Sequence, residues 1–230
     1  MRPSPDAIML FAAGFGTRMG ALTAEQPKPM IPVAGRPLID HALDLVEPLN
    51  LSRTVVNLHY KPAPLKQHLA TRNVMFSEET PNILETGGGL RHALPLLRDG
   101  PVYTMNTDAV WRGPNPLTIL REAWNPTLMD ALLILVPRDH AIGHKGKGDF
   151  LLGPDGQITR GPGHVYGGVQ IVKTDALPAI QEPAFSLNVL WNSMAQNARL
   201  FGIEYPGQWC DVGNPDGIRL AENLLEHPDV

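Results

Sequence analysis

A glycine-rich segment near the start of the sequence combines residue types that bind phosphate. In Leu10 to Met19 an apolar run leads into Gly14 and Gly16, and Arg18 follows them. Glycines let the backbone approach a ligand closely and present several N–H groups to phosphate oxygens. Lys28 lies between two prolines shortly downstream and adds a second fixed positive charge. The segment therefore predicts a polyphosphate site, although a glycine pair of this kind also begins dinucleotide-binding loops.

The prolines after this segment argue against dinucleotide binding. A dinucleotide-binding loop belongs to a βαβ unit whose helix starts inside the loop. Pro27, Pro29 and Pro32 prevent a regular helix from running through the residues that follow the glycines. The sequence therefore disfavours a dinucleotide-binding loop, and with it a nicotinamide-dependent dehydrogenase.

Two aspartates occupy positions suited to a divalent metal. Asp108 follows an apolar run at residues 102–106, and Asp211 follows Trp209 and Cys210. Ligands of open α/β sheets bind at the carboxyl ends of the strands, where Asp108 is expected to lie. Mg²⁺ on a triphosphate needs only one or two protein carboxylates, because phosphate and water complete its coordination. An aspartate at a strand end is also a common turn or capping residue, so the residues alone leave both roles open.

A run of three glycines forms a second candidate segment at Glu85 to Gly89. Glycines at the start of a helix expose N–H groups and permit close approach to a flat base or a polar ligand edge. A flexible capped turn would use the same residues. The segment by itself therefore does not distinguish a binding role from a structural one.

The motif Ala-Ala-Gly-x-Gly-Thr-Arg-Met at residues 12–19, with Pro-Lys-Pro at residues 27–29, resembles the signature of sugar-1-phosphate nucleotidyltransferases. The resemblance extends from Ile8 to about Ala221, with the motifs in the family order. It implies an enzyme that joins a sugar 1-phosphate to a nucleoside triphosphate, releases pyrophosphate and uses Mg²⁺. The residues that it implies are Ala12, Ala13, Gly14, Gly16, Thr17, Thr86, Gly87 and Gly88 for the nucleotide, Arg18 and Lys28 as catalytic contacts to its phosphates, and Asp108 and Asp211 for the metal.

The same resemblance implies a sugar side in the second half of the chain. It assigns sugar contacts to Glu85, Gly148 and Gly167, and it puts Arg160 at the sugar phosphate. Arg160 stands in Thr-Arg-Gly-Pro where several relatives carry Glu-Lys-Pro, so the arginine is expected to replace that lysine. The chain also has Gly-Ala at residues 20–21, where relatives commonly have Arg-Pro. One phosphate contact of those relatives is therefore expected to be absent.

The Glu-Thr-Gly-Gly-Gly segment resembles most the version found in N-acetylmuramate 1-phosphate uridylyltransferases of bacterial cell-wall recycling. That likeness implies UTP as the nucleotide and N-acetylmuramate 1-phosphate as the sugar phosphate. A guanylyl- or thymidylyltransferase acting on a hexose or heptose 1-phosphate is the nearest alternative. A non-catalytic nucleotide-sensing domain is a third possibility, which the presence of both Asp108 and Asp211 disfavours.

The elements that must position these residues alternate between strands and helices. Strands are predicted at residues 8–13, 54–59, 74–76 and 102–106, and helices at residues 37–49, 64–71 and 88–98. Such alternation predicts an α/β fold, with a Rossmann-like, mainly parallel sheet and helices on both faces. A turn at residues 153–156 between two short apolar runs predicts a hairpin, and hence a small antiparallel insertion.

Length and composition limit the protein's organisation and its partners. The 230 residues predict one domain, with a nucleotide-binding half at about residues 1–110 and a sugar-binding half at about 111–230. A net charge of −4 argues against nucleic acid or a membrane as a partner, and the apolar runs are too short to span a bilayer. The single cysteine fits a reducing cytoplasm. Both a monomer and a small homo-oligomer agree with this composition.

Overall fold

The structure is a computed structural model, and it describes residues 4–226. Its strands β1 to β14 are, in chain order, Ala7–Phe11, Pro32–Val33, Arg36–Pro37, Arg53–Leu58, Met75–Glu78, Val102–Asn106, Ala109–Arg112, Ala131–Val136, Ala141–Ile142, Phe150–Leu152, Ile158–Arg160, Val165–Val172, Leu200–Glu204 and Gln208–Asp211. Its helices α1 to α7 are Leu38–Val46, Pro62–His68, Glu85–His92, Leu94–Leu97, Pro116–Ala123, Asn188–Gln196 and Pro215–Glu226. The elements thus alternate along the first half of the chain, as the sequence predicts.

Seven strands form one sheet in the order β13-β8-β12-β6-β1-β4-β5. Strand β12 pairs antiparallel with both of its neighbours, β6 and β8. All the other neighbours in this sheet pair in parallel. The prediction of a mainly parallel sheet is confirmed, and both predicted halves of the chain contribute strands to it.

The two faces of this sheet are covered by different helices. Because side chains alternate along a strand, Ile8 and Leu10 point to one face and Ala7 and Met9 to the other. Ile8 and Leu10 belong to a core that includes residues of α1, α2 and α5. Ala7 and Met9 belong to a second core, with residues of α3, α4 and α6. Helices therefore lie on both faces, which confirms the predicted layering.

Smaller sheets extend the second half of the chain. One of them has the strand order β7-β14-β9, and β14 is antiparallel to β7. This sheet packs on α7 through a third core, which contains the fully buried Cys210. Strands β10 and β11 form an antiparallel hairpin at the predicted turn. Helix α7 begins at Pro215, and the Asn214 side chain accepts a hydrogen bond from the Gly217 N–H at 3.1 Å. An asparagine cap followed by proline and an acidic residue in the first turn favours a helix start at this point.

The predicted helix at residues 88–98 differs from the observed elements. Helix α3 begins earlier, at Glu85, and ends at His92, and the separate helix α4 follows Ala93. Pro95 lacks an N–H group, so it cannot donate the hydrogen bond that a continuous helix needs at that point. Among residues 4–226, no helix is long and apolar enough to cross a membrane.

Candidate active site

A cleft of about 310 Å³ opens at the carboxyl ends of the parallel strands β1, β4, β5 and β6. This is the edge at which open α/β sheets bind ligands. Ten residues predicted to bind the ligand or the metal line it: Ala12, Ala13, Gly14, Gly16, Thr17, Arg18, Lys28, Glu85, Thr86 and Asp108. The fold therefore brings together segments that are widely separated in the chain.

The glycine segment forms an open loop along one wall of the cleft. Gly16 has a left-handed backbone with φ 63°, and a Cβ there would lie 2.9 Å from Thr23 Cγ2 and 3.0 Å from Lys28 Cβ. Gly16 therefore allows both the turn and the close approach of Lys28. Within residues 4–226, no acceptor receives a hydrogen bond from the backbone N–H groups of residues 13–16. Those groups remain available for an anionic ligand.

Lys28 and Asp108 form an ion pair at the base of this loop. Lys28 Nζ lies 2.7 Å from Asp108 Oδ2, and their side chains are 11% and 32% exposed. The stem of Lys28 is buried beneath Gly16, so the ammonium group is held in position rather than free in solvent. The ammonium group of such a lysine can donate to a phosphate oxygen in place of, or together with, the carboxylate.

Asp211 lies beside Asp108, although the two are far apart in the sequence. Strand β14 pairs with β7 so that Asp211 is opposite Ala109, and the Val212 N–H donates to the Asp108 carbonyl at 2.8 Å. Burial, followed by the charge of Asp108, raises the pKa of Asp211, and the nearby cations only partly offset this. Gly213 allows the close fit, since a Cβ there would lie 2.6 Å from Asp211 Oδ2 and 3.2 Å from Arg18 Nη1.

Asp108 and Asp211 form a donor set suited to Mg²⁺. Two carboxylates that repel each other when close together are stabilised by a divalent cation, and Mg²⁺ on a nucleotide uses one or two such ligands. Among residues 4–226, no cluster of three or more histidine, cysteine or acidic side chains could hold a metal. The chemistry of these donors therefore fits a cation that takes its remaining ligands from phosphate and water.

The glycines after Thr86 have a packing role that the sequence analysis does not predict. The N–H groups of Gly87 and Gly88 both donate to the Phe185 carbonyl, at 2.8 and 3.0 Å. A Cβ on Gly87 would lie 2.4 Å from the Phe185 ring. The N–H groups of both glycines are therefore bonded within the protein, to the segment before α6, and the role of these glycines in nucleotide binding stays a prediction.

Replacing Gly87 by alanine tests this packing role. The added methyl group must displace the Phe185 ring, and overpacking of this kind costs about 1–3 kcal/mol of unfolding free energy. We expect a lower melting temperature without nucleotide, measured by differential scanning fluorimetry. An unchanged melting temperature together with weaker nucleotide binding would instead identify Gly87 as a ligand contact.

Two buried polar residues of the cleft were missed by the sequence analysis. Asn57, near the end of β4, and Glu79, just after β5, line the cleft, and they are 3% and 0% exposed. Asn57 Oδ1 accepts a hydrogen bond from the Ala12 N–H at 2.6 Å, so that N–H is not free for phosphate. The sequence signal for them is weak, since Asn57 is one polar residue near the end of an apolar strand and Glu79 follows another.

Of the residues predicted for the sugar side, Glu85 lines this cleft, whereas Gly148, Arg160 and Gly167 lie outside its lining and have local contacts. Gly148 has φ +87°, and a Cβ there would lie 2.0 Å from the Gly163 carbonyl oxygen. A Cβ on Gly167 would lie 2.6 Å from the Trp111 ring. The Arg160 guanidinium lies over the Phe150 ring, 4.4 Å from its centroid. Their contacts with a sugar remain predictions.

The profile of the MobA-like NTP transferase domain matches residues 8–185 of the chain. The chain belongs to this family. Membership confirms the nucleotidyltransferase family that the loop and Pro-Lys-Pro motifs predict. This MobA-like NTP transferase is 36% identical to the N-acetylmuramate alpha-1-phosphate uridylyltransferase of Caulobacter vibrioides, over 98% of this chain and 99% of that protein. Identity to the enzyme of the same name from Neisseria meningitidis serogroup B is 31%, over 94% and 96% of the two chains.

Solved structures support the fold of this MobA-like NTP transferase. The crystal structure of HddC from Yersinia pseudotuberculosis superposes with a TM-score of 0.77, over 95% of this chain and 99% of that chain. Sequence identity in that comparison is 19%, so the likeness concerns the fold.

Proposed function

We propose that this protein transfers the uridylyl group of UTP to N-acetylmuramate α-1-phosphate, giving UDP-N-acetylmuramate and pyrophosphate in cell-wall recycling. The observation that carries the choice of substrates is the near full-length similarity to two uridylyltransferases of that specificity. The cleft geometry supports the reaction type, because the glycine loop and Asp108 line one cavity and Asp211 lies next to Asp108. A cytoplasmic location is part of the proposal, on the ground of the single cysteine.

The reaction is a direct displacement at phosphorus. A phosphate oxygen of the sugar 1-phosphate attacks the α-phosphorus of UTP. A new P–O bond forms as the bond from that phosphorus to the α,β-bridging oxygen breaks, and pyrophosphate leaves with the electron pair. The nucleophile is already anionic, so the protein need not supply a base. Catalysis then depends on alignment and on reducing the repulsion between two anionic phosphates.

Candidate residues are present both for aligning the phosphates and for reducing the repulsion between them. The free N–H groups of residues 13–16 and the Arg18 guanidinium are suited to the departing phosphates, and Lys28 to the phosphate that is attacked. Asp108 and Asp211 would hold Mg²⁺, which supplies charge neutralisation on the triphosphate when it is bound. Thr86, on the opposite wall, is suited to contacts with the rest of the nucleotide, and Glu85 beside it to contacts with the sugar.

A pyrophosphate-release assay tests the proposal. Purified protein with Mg²⁺ is offered UTP, GTP, CTP, dTTP or ATP, each with a panel of sugar 1-phosphates that includes N-acetylmuramate 1-phosphate. We expect release with UTP and the muramate compound, at a kcat/KM at least about tenfold above any other pair, the discrimination that about 1.4 kcal/mol provides. Omission of Mg²⁺ with a chelator present is expected to abolish the signal.

The remaining outcomes separate the parts of the proposal. Release with a different nucleotide and sugar, such as GTP with a hexose or heptose 1-phosphate, keeps the reaction and rejects the substrates. Silence across the panel from folded protein rejects the catalytic proposal and favours a nucleotide sensor. Activity that persists in chelator rejects the role of Mg²⁺.

A further inference from the structure

Three hydrogen bonds connect the two walls of the cleft through Asn57 and Glu79. The Ala12 N–H donates to Asn57 Oδ1 at 2.6 Å, and Asn57 Nδ2 donates to Glu79 Oε1 at 2.7 Å. The Leu84 N–H donates to Glu79 Oε2, also at 2.7 Å. Ala12 begins the phosphate-binding loop, and Leu84 immediately precedes Glu85 and the start of α3. We refer to Asn57 and Glu79 as the relay pair.

The relay pair is enclosed by protein on the side away from the cleft. Glu79 is 0% exposed and Asn57 is 3% exposed. A Cβ on Gly89 would lie 2.5 Å from Glu79 Oε1 and 3.2 Å from Asn57 Nδ2. The third glycine of the run therefore lets helix α3 pack directly on the pair. Buried polar groups of this kind are costly unless each finds a partner, so the three bonds fix the arrangement tightly.

The segment that the pair holds on the far wall has an uncommon backbone. Glu85 has φ 59°, in the left-handed region that non-glycine residues rarely adopt. The Leu84 N–H bond to Glu79 lies immediately before this residue, and Thr86 beyond it accepts a hydrogen bond from the Leu187 N–H at 3.0 Å. Such a conformation persists only where neighbouring contacts impose it. Glu79 supplies one of those contacts.

We propose that Asn57 and Glu79 are positioning residues for nucleotide binding, which set the wall formed by residues 84–86 at a fixed distance from the phosphate-binding loop. The inference rests on nucleotide binding as part of the proposed function, and it adds two residues that act through the backbone of Ala12 and Leu84. A nucleotide that contacts both walls binds strongly only if their separation is fixed beforehand. Loss of the relay makes the ligand itself order the far wall, which weakens binding.

The order of donors and acceptors in the relay makes it testable by isosteric changes. Both Glu79 oxygens accept, so Glu79→Gln sets its amide NH₂ against another donor, either the Asn57 amide or the Leu84 N–H. Asn57→Asp instead sets two carboxylates against each other, where the donor–acceptor distance is now 2.7 Å. The paired variant Asn57→Asp/Glu79→Gln restores all three bonds, with only the middle one reversed in direction. Net charge is the same as in the wild type.

The experiment compares UTP binding, by isothermal titration calorimetry with Mg²⁺, in the wild type, the two single variants and the paired variant. We expect each single variant to bind UTP at least about tenfold more weakly, the effect of one lost buried hydrogen bond. The paired variant is expected to recover to within about threefold of the wild type. Glu78→Gln is the matched control, because Glu78 is exposed and pairs with Lys66 at the surface.

A second measurement separates positioning from general destabilisation. Hydrogen–deuterium exchange is expected to be faster in the peptide that covers residues 80–88 of each single variant, and to return to the wild-type rate in the paired variant. Peptides from β8 and β13 should exchange alike in all four proteins. If Glu79→Gln alone does not fold, the paired variant still decides the matter, since it must both fold and bind.

Three results would overturn the inference: UTP affinity in Glu79→Gln equal to that of the wild type, a paired variant that binds no better than the single variants, or faster exchange throughout the sheet. Neither experiment depends on turnover. Wild-type protein that binds UTP but transfers it to no sugar phosphate would therefore reject the proposed function while leaving this test decisive.

Discussion

Lys28→Ala is expected to lower kcat by at least about a hundredfold, the usual effect of removing a positioned group that stabilises charge in a transition state. Lys28 combines three properties that lead us to expect a large loss of activity. Its side chain is 11% exposed, its ammonium lies 2.7 Å from Asp108, and it lines the cleft together with Arg18. In so enclosed a position, water replaces the missing charge poorly, and the attacking phosphate meets an uncompensated Asp108.

The measurement is steady-state pyrophosphate release with saturating UTP and sugar phosphate, alongside circular dichroism to verify the fold. Lys28→Met retains the buried stem without the charge, so it should lose activity to a similar extent. Lys66→Ala is the matched control, because it removes a lysine whose 2.6 Å pair with Glu78 is partly exposed and contributes about 0–1 kcal/mol. Wild-type kinetics in Lys28→Ala would exclude Lys28 from the phosphate site.

The sequence predicts those parts of the fold that depend on local patterns. Short apolar runs bounded by glycine or proline identify the central strands, and Asn-Pro-Asp identifies the start of α7. Helix α5 carries a similar signal that was overlooked, since the Asn115 side chain accepts from the Leu117 N–H at 2.9 Å and Pro116 occupies the first turn. Helix α6 has no comparable signal. It is helical because Leu190 and Trp191 are buried against the sheet.

The site shows the same division between local and tertiary information. A phosphate-binding loop is visible in a sequence because glycine, arginine and lysine are chemically distinctive. Asn57 and Glu79 resemble ordinary residues at the ends of strands, and only the meeting of β1, β4 and β5 makes them partners. Glycines are ambiguous for the opposite reason. Gly87 can serve a ligand or a neighbouring ring equally well, and the Phe185 segment that decides between them lies far along the chain.

The two aspartates show how one contact can serve function at the expense of stability. Strand pairing forces Asp211 against Asp108 in a partly buried position, where burial and then the charge of Asp108 disfavour the ionised form of Asp211. Lys28 and Arg18 offset this only in part. A protein without a role for paired negative charges here would gain from a neutral residue. If the proposed Mg²⁺ site is right, one substitution at Asp211 is expected to have opposite effects on stability and activity.

Asp211→Asn is expected to lower kcat by at least about a hundredfold and, without metal, to raise the melting temperature at pH 7. The raised pKa of Asp211 means that the folded protein favours its protonated form. The stability that the protonated carboxyl group contributes to the fold is fully present below the ordinary aspartate pKa and is lost as pH rises through the raised pKa. Asparagine cannot ionise, so the substitution removes the free-energy cost of holding a charged carboxylate at this position at neutral pH. Recovery of about 1 kcal/mol corresponds to about 2–4 °C for a domain of this size.

Differential scanning calorimetry in chelator, from pH 7 to pH 4, tests directly whether Asp211→Asn raises or lowers the melting temperature. The gain in melting temperature of Asp211→Asn over the wild type should shrink as pH falls, because the wild-type carboxyl group then becomes protonated and is neutral like asparagine. Adding Mg²⁺ and UTP should reverse the order, since only the wild type retains both carboxylates for the cation. Asp139→Asn, at an exposed position in the turn after β8, controls for general effects of lost charge. A variant less stable than the wild type at pH 7 in chelator would show that Asp211 stabilises the fold, and the trade between stability and metal binding would be rejected.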